Sequence, residues 1–475
     1  MAFQLSDTVD KEKVFLVKRS DVEERFDPNF YKPYSKKIGK LYEPVKLRDH
    51  ALSIKHPPEY SRIYAENGVQ LIRSQNVRPD GIDLSNSPMF LAKEVTENKE
   101  NIYPEIGDVL VVRSGVNAGD TACVEVDLPN TIVGADTLLL RLKKSLLPKF
   151  IQTFFSLKIG EEIMQKYLTG ATNKHISPYY IGKIKIPLPP LDIQKSIVSK
   201  ANNAYAAKKQ KEAQALQLLD SIDSYLLNEL GIELPPEAES TISQRMFVRK
   251  FSKVSGGRFD AGFYAEEYVH HEEAIYKGTY KVSRLSGFIT RIAYGASVNN
   301  EYKTTGIPLL RIKDLQPNEI HSENTVFLPE SMRKELGKAF VSCGDFLISR
   351  SGSIGITAMV DEAHDGFAFG SFMIKFDILE NEVSKPFVSY VLNSPLGKIY
   401  FKRNKIGAIQ GNITIPVIKS CLIPLPPLEK QNKIADHIQA IRDQAKQLRA
   451  EAAAGLELAK REVEAMIVGE VNLIN

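Results

Sequence analysis

The sequence predicts an α+β chain. Two copies of one α/β domain are joined by two long helices, which pair as an antiparallel coiled coil with pseudo-twofold symmetry. Three observations carry that prediction. Four sequence blocks recur in the same order, at an offset that drifts only from 233 to 237 residues. Each copy closes on a Pro-Pro pair, and a heptad-spaced helix follows each pair.

The blocks are explicit. Arg25-Phe26-Asp27-Pro28-Asn29-Phe30-Tyr31 returns as Arg258-Phe259-Asp260-Ala261-Gly262-Phe263-Tyr264. Gly107-Asp108-Val109-Leu110, leading to Arg113-Ser114-Gly115, returns as Gly344-Asp345-Phe346-Leu347, leading to Arg350-Ser351-Gly352. The stretch 170–177 matches 407–414, and Ile186-Pro187-Leu188-Pro189-Pro190-Leu191 is repeated without change at 423–428. Gln194 and Gln431 follow three residues on. A period this long means duplicated domains and not a solenoid of short units.

Within each copy, the apolar runs Val109–Val112, Thr137–Leu142, Phe346–Ile348 and Phe372–Phe376 read as strands bounded by Gly, Asp and Asn. Pro148–Leu168 and Pro386–Phe401 read as helices with aromatic faces. The Pro-Pro pairs then open long helices, since proline is tolerated in a first turn. The first spans about 191–230 and stops at Gly231; the second spans about 428–468 and stops at Gly469. In the first, Ile197, Ala201, Ala204, Lys208, Lys211, Ala215, Leu218, Ile222 and Tyr225 alternate spacings of four and three. In the second, Ile434, Ile438, Ile441, Ala445, Leu448 and Ala452 do the same. Leu456, Ala459, Val463 and Met466 resume the pattern after one extra residue, a stutter that locally unwinds a supercoil. Each helix measures about 60 Å. The boundaries expected are a first domain at 1–190, its helix at 191–231, a linker at 232–241, a second domain at 242–427, and the second helix with its tail at 428–475.

Composition excludes several classes. At 43% hydrophobic and 25% charged residues, the chain has the make-up of a globular protein. The net charge of +4 alone argues for no partner, but its distribution does. Residues 386–419 hold Lys398, Lys402, Arg403, Lys405 and Lys419 with no acidic residue, and 143–185 hold eight lysines against Glu161 and Glu162. Two separate basic regions suit phosphate binding, or two solvated faces. Cys123, Cys343 and Cys421 form no CxxC pair, so neither a zinc site nor a disulfide framework is expected. With Asp7, Asp10 and Glu12 near the start and no long apolar run, no signal peptide or membrane span is expected, and a cytoplasmic setting is.

Catalytic motifs are scarce. There is no GxxxxGK[ST] phosphate loop, and Pro57-Pro58-Glu59-Tyr60 follows His56, not the Asn or Asp of an adenine methyltransferase motif. Asp80 with Glu97-Asn98-Lys99 fits the loose pattern of a metal-dependent nuclease, although Asp80-Gly81 is equally a turn. The alternatives left open are such a nuclease and a coiled-coil adaptor that binds no DNA.

Paired α/β copies, each ending in I-P-L-P-P-L-x-x-Q and a long helix and each carrying G-D-x-L leading to R-S-G, resemble the specificity subunit of Type I restriction-modification systems. The resemblance covers nearly the whole chain. It implies that each copy is a target recognition domain reading half of an asymmetric, bipartite target in double-stranded DNA. It also implies that the helices set the half-site spacing and hold two methyltransferase (M) subunits that modify adenine at N6, with restriction (R) subunits joining. In a bacterial or archaeal cell that arrangement serves phage defence. The chain itself then needs no cofactor; S-adenosylmethionine, ATP and Mg belong to the partners.

If the chain reads DNA, bidentate Arg, Asn and Gln side chains suit base edges, and Lys, Arg, Ser and Thr suit phosphates. The first-choice contacts are the loops carrying Lys166, Thr172, Asn173, Lys174 and His175, and Lys402, Arg403, Asn404, Lys405, Gln410 and Asn412, each with glycines that permit close approach; an ordinary polar turn is the competing reading. Arg113 and Ser114, with Arg350 and Ser351, come second, as phosphate contacts or as turns. Arg73-Ser74-Gln75-Asn76 and Arg311-Ile312-Lys313-Asp314 come third. Arg25 and Arg258 are expected to anchor their domains through Arg–Asp pairs and aromatic packing.

Overall fold

The structure is a computed structural model of the chain. It describes residues 14, 16–19, 22, 28–31, 39, 41–85, 87–97, 102–170, 172–236, 246–254, 258, 260–298, 302–407 and 411–469. These fall into two compact units, one within Met1–Ala213 and Leu448–Asn475, the other Gln214–Gln447.

The two units repeat one topology. In the first, an antiparallel sheet runs in the order Ala51–Lys55, Thr137–Leu142, Val109–Val112, Thr121–Cys123. In the second, the order is Ile289–Tyr294, Met373–Ile378, Phe346–Ser349, Thr357–Met359. Val109–Val112 and Phe346–Ser349 are buried on both faces, which is why they read as unbroken apolar runs. A smaller sheet accompanies each: Phe90–Leu91, Tyr64–Ile72, Thr131–Val133, and likewise Val326–Leu328, Ile307–Leu310, Ala368–Phe369. In both, the last pair is parallel.

The repeated Gly-Asp pair has a structural role. Asp108 is 1% exposed; it accepts from the Glu105 N–H at 2.8 Å and from two nitrogens of Arg141 at 2.8 and 2.9 Å. Asp345 accepts from the Ser342 N–H and from Arg291, each at 2.8 Å. The carboxylate thus closes a turn and takes a guanidinium from another strand of the same sheet, which satisfies its buried charge.

Each helix expected before the Pro-Pro pair is in fact two. The first copy has Pro148–Phe155 and Lys158–Tyr167, the second Lys385–Asn393 and Pro395–Asn404. Ser394 precedes a proline and so leaves the helical region. In the first copy, the Ser156 hydroxyl turns back to the Thr153 carbonyl at 2.7 Å.

The long helices span Leu191–Leu230 and Leu428–Val468, and Gly231 and Gly469 follow at φ +61° and +81°. Every residue of both heptad seams is buried or half-buried. In the first unit, Lys200 pairs with Glu462 at 2.5 Å and Lys211 with Glu451 at 2.6 Å, so the helix segments run antiparallel. In the second unit, Glu229 meets Lys430, and the Tyr225 ring packs at a tilt against His437 with centroids 4.3 Å apart, again antiparallel. Val463, Ile467 and Val468 enter the first unit's core beside Leu47, Phe150 and Ile197. Leu226 and Leu230 enter the second unit's core beside Phe387 and Ile434.

A glutamine fastens each long helix to its domain. Gln194, fully buried, accepts from the Leu147 N–H at 2.8 Å and donates to the Ser145 and Pro189 carbonyls at 3.1 and 2.9 Å. Gln431 repeats this with the Ser384 N–H and the Glu382 and Pro426 carbonyls at 2.9, 3.0 and 2.8 Å.

Candidate nucleic-acid interface

Of the two blocks expected to be loops, Lys166 ends the helix Lys158–Tyr167 and Lys402, Arg403 and Asn404 end the helix Pro395–Asn404, while the residues that follow pair in the same way in both units. Thr169 and His175 exchange both backbone hydrogen bonds at 2.8 Å, as do Ile406 and Asn412. Gly170 and Gly407 begin the tips at φ +91° and +106°. A Cβ on Gly170 would lie 2.2 Å from the Asn173 carbonyl oxygen, so the tip requires glycine.

The Arg-Ser-Gly segments sit directly against these paired segments. Ser114 bridges to His175 and Ser351 to Asn412. The Arg113 carbonyl accepts from Ile176 and the Arg350 carbonyl from Ile413, each at 2.9 Å. First- and second-choice residues, distant in sequence, therefore form one surface in each unit: a strand-end arginine beside a glycine-tipped hairpin.

Within that surface the side chains divide. Thr172, Asn173 and Lys174 are exposed at the first tip, and the Lys174 ammonium donates to Gln165 at 2.5 Å. His175 is half-buried, with its Nδ1 buried and unpartnered. Ser114 is buried and donates to Asp136 at 2.8 Å, so it shapes the turn. In the second unit, Lys402 and Lys405 are exposed, Asn412 is half-buried and Ser351 is buried. Gln410 lies outside the described residues.

Other expected contacts face inward. Lys166 lies over the Phe30 ring at 4.6 Å, and Arg403 over Phe263 at 4.5 Å; these are matching positions of the repeat. Arg403 also pairs with Glu272 at 2.5 Å, and Asn404 donates to the Tyr400 carbonyl at 2.9 Å. The two cations hold the opening aromatic motif onto its domain. Arg258 pairs with Asp260 at 2.6 Å and packs on Phe263; Arg25 and Asp27 lie outside the described residues. Arg73 and Arg311 brace loops: each backbone N–H donates to the side chain of Asn76 or Asp314, and each guanidinium reaches a carbonyl, that of Ser87 at 2.5 Å or Asn324 at 2.6 Å.

One neighbour escaped the sequence reading. The Arg350 guanidinium lies 4.8 Å from the centre of the Tyr294 ring. Tyr294 ends a strand more than fifty residues upstream, and no local motif marks it. Among the described residues, no group of three or more His, Cys, Asp or Glu is placed to hold a metal ion, and no helix is long and apolar enough to cross a membrane. Lys99 of the nuclease-like pattern lies outside the described residues.

The fold is a duplicated α/β one, and in each copy a strand-end arginine stands beside a paired segment that opens on a glycine. A family model described as the Type I restriction modification DNA specificity domain matches residues 59–219 and 278–457. The chain belongs to that family: it supplies DNA specificity in a Type I restriction-modification system and works with DNA and the other subunits of that system. It is similar to the Type I restriction enzyme MjaVIII specificity subunit of Methanocaldococcus jannaschii, with 24% identity over 388 residues, 80% of this chain and 82% of that one. It is also similar to the EcoKI specificity subunit of Escherichia coli strain K12, with 22% identity over 378 residues, 78% and 75% of the two chains. A chain in a solved structure of complex assembly and conformational transition of the type I R-M system shares the fold at a TM-score of 0.50, with 17% identity and coverage of 92% and 98%.

Proposed function

We propose that each unit reads one half of an asymmetric, bipartite target in double-stranded DNA, and that the long helices set the spacing between the halves. The chain holds two adenine-N6 methyltransferase subunits, with restriction subunits joining that core. S-adenosylmethionine, ATP and Mg act in those partners. The observation that carries the reading is one arginine-and-paired-segment frame built twice with different side chains: Thr172, Asn173, Lys174 and His175 stand where the other copy has Ile409, Gln410, Gly411 and Asn412. One backbone frame with two side-chain sets is what two different half-sites require.

Inserting one heptad after Ala213 and one after Gln447 tests it. The insertion adds about 10 Å to each helix, or about three base pairs of spacer. With the methyltransferase partner, mapping of N6-methyladenine in host DNA should show the same half-sites farther apart. An unchanged spacer with altered bases inside a half-site overturns the reading. Lys174→Ala and Lys402→Ala should each weaken binding across all sequences and flatten the log–log salt slope by about 1.

A further inference from the structure

We propose that Arg350 reads a guanine through a hydrogen-bonding fork fixed in place, and that Tyr294 is the positioning residue that fixes it. The inference deepens the half-site reading given above and rests on it.

Arg350 is held at its backbone on both sides. Its N–H donates to the Phe372 carbonyl and its carbonyl accepts from Ile413, each at 2.9 Å. Its side chain is held too. The guanidinium lies over the Tyr294 ring, and its Nε is buried with no hydrogen-bond partner. Among the described residues no carboxylate pairs with it. That sets it apart from Arg291, Arg311, Arg333, Arg403 and Arg442 of the same unit, which pair with Asp345, Asp314, Glu330, Glu272 and Glu319. A cation that gives up water on one side and gains no counter-charge needs an external acceptor to balance it.

Tyr294 is itself fastened. Its hydroxyl accepts from the Ile415 N–H at 3.3 Å, at the opening of the helix Ile415–Lys419, where that N–H has no partner within the helix. The ring therefore spans from a strand end to a helix start and forms a shelf for the guanidinium. A planar cation immobilised on such a shelf presents two parallel N–H groups in a set direction. The O6 and N7 of guanine in the major groove accept such a pair. Phosphate needs charge more than orientation, and the exposed Lys402 and Lys405 supply it.

The device belongs to the second unit alone. By strand register, Tyr294 sits opposite Ile374, whose counterpart is Leu138; the residue opposite Leu138 is His56, one past Lys55. His56 bonds instead to the Ala135 carbonyl at 3.0 Å, and among the described residues no ring underlies Arg113. The fixed guanine contact should therefore fall in one half-site only.

The test uses the full chain expressed with its methyltransferase partner. The probe is the host genome, with N6-methyladenine mapped at every site. Arg350→Ala should abolish a guanine requirement at one position of one half-site, a change of about tenfold or more in selectivity, and leave the other half-site intact. Tyr294→Ala should relax that same position, and Tyr294→Phe, which keeps the shelf, should retain it. A uniform fall in methylation with Arg350→Ala, its selectivity unchanged, makes the contact a phosphate one and overturns the guanine assignment. Loss of selectivity in Arg350→Ala with none in Tyr294→Ala overturns the positioning role. Should Tyr294→Ala not fold, Tyr294→Leu takes its place: it keeps an apolar side chain and removes the aromatic face. The broader reading has its own arm. Replacing 406–412 with the sequence of 169–175 must change the second half-site, and an unaltered motif there sinks the hairpin as a reader.

Discussion

Replacing Gln194 with leucine should destabilise the first unit by about 3 kcal/mol. The side chain is fully buried and makes three hydrogen bonds to backbone groups at 2.8–3.1 Å. Leucine nearly matches its volume, so little cavity forms, and the loss is polar. The Leu147 N–H is left without an acceptor, which costs about 1–3 kcal/mol, and two carbonyls each lose a donor at about 1 kcal/mol, offset in part by the more apolar side chain. Gln431→Leu should cost the same in the second unit, where the geometry is repeated. The two share no partner, so their effects should add. Urea unfolding followed by far-UV circular dichroism reads both, with the exposed Gln217→Leu as the control expected to stay within about 0.5 kcal/mol. A Gln194→Leu shift below about 1 kcal/mol would refute the role assigned to the bridge.

Asp108→Ala should cost about 2–3 kcal/mol, less than the loss of a fully buried pair, because Arg141 still reaches solvent and Glu105 at 2.9 Å; a thermal midpoint unchanged against wild type would contradict this. The thiols should separate by reactivity. Burial pushes the Cys123 thiol up to about 11 and also raises that of Cys421, while Cys343 is exposed. At about pH 8 a disulfide reagent should therefore label one of the three rapidly and the other two only on unfolding, since the thiolate is the reactive form. Two fast equivalents would mean that one of these sites is more open than its packing requires.

Much of the architecture was legible because it depends on patterns that the chain states twice. The Pro-Pro openers, the terminal glycines and the seam spacings mark both long helices, because helix starts, stops and buried faces are local or periodic properties. The strand runs at 109–112 and 137–142 were equally plain. The small sheets were not: most of their strands have only two to four residues, too few to show a period, and the nine-residue Tyr64–Ile72 is interrupted by Glu66-Asn67-Gly68 where its register shifts. The breaks at Ser156 and Ser394 were missed because amphipathic spacing continues across them. At the interface, the residue types were readable and their engagement was not. Arg403 and Arg350 look alike in sequence, and each lies over an aromatic ring; what separates them is Glu272, far away in the chain, which pairs with Arg403 alone.

The first unit's core is finished by residues from the far end of the chain. Val463, Ile467 and Val468 fill it, and Glu464 accepts from the Ile159 N–H at 3.3 Å. During synthesis that unit waits, its apolar groove uncovered, until the ribosome has made more than two hundred further residues, whereas the second unit draws all its material from one continuous stretch. The later-made half can therefore mature first. A premature stop in the part of the final helix beyond Gln447 would wound the domain encoded at the opposite end of the chain and spare the one beside it.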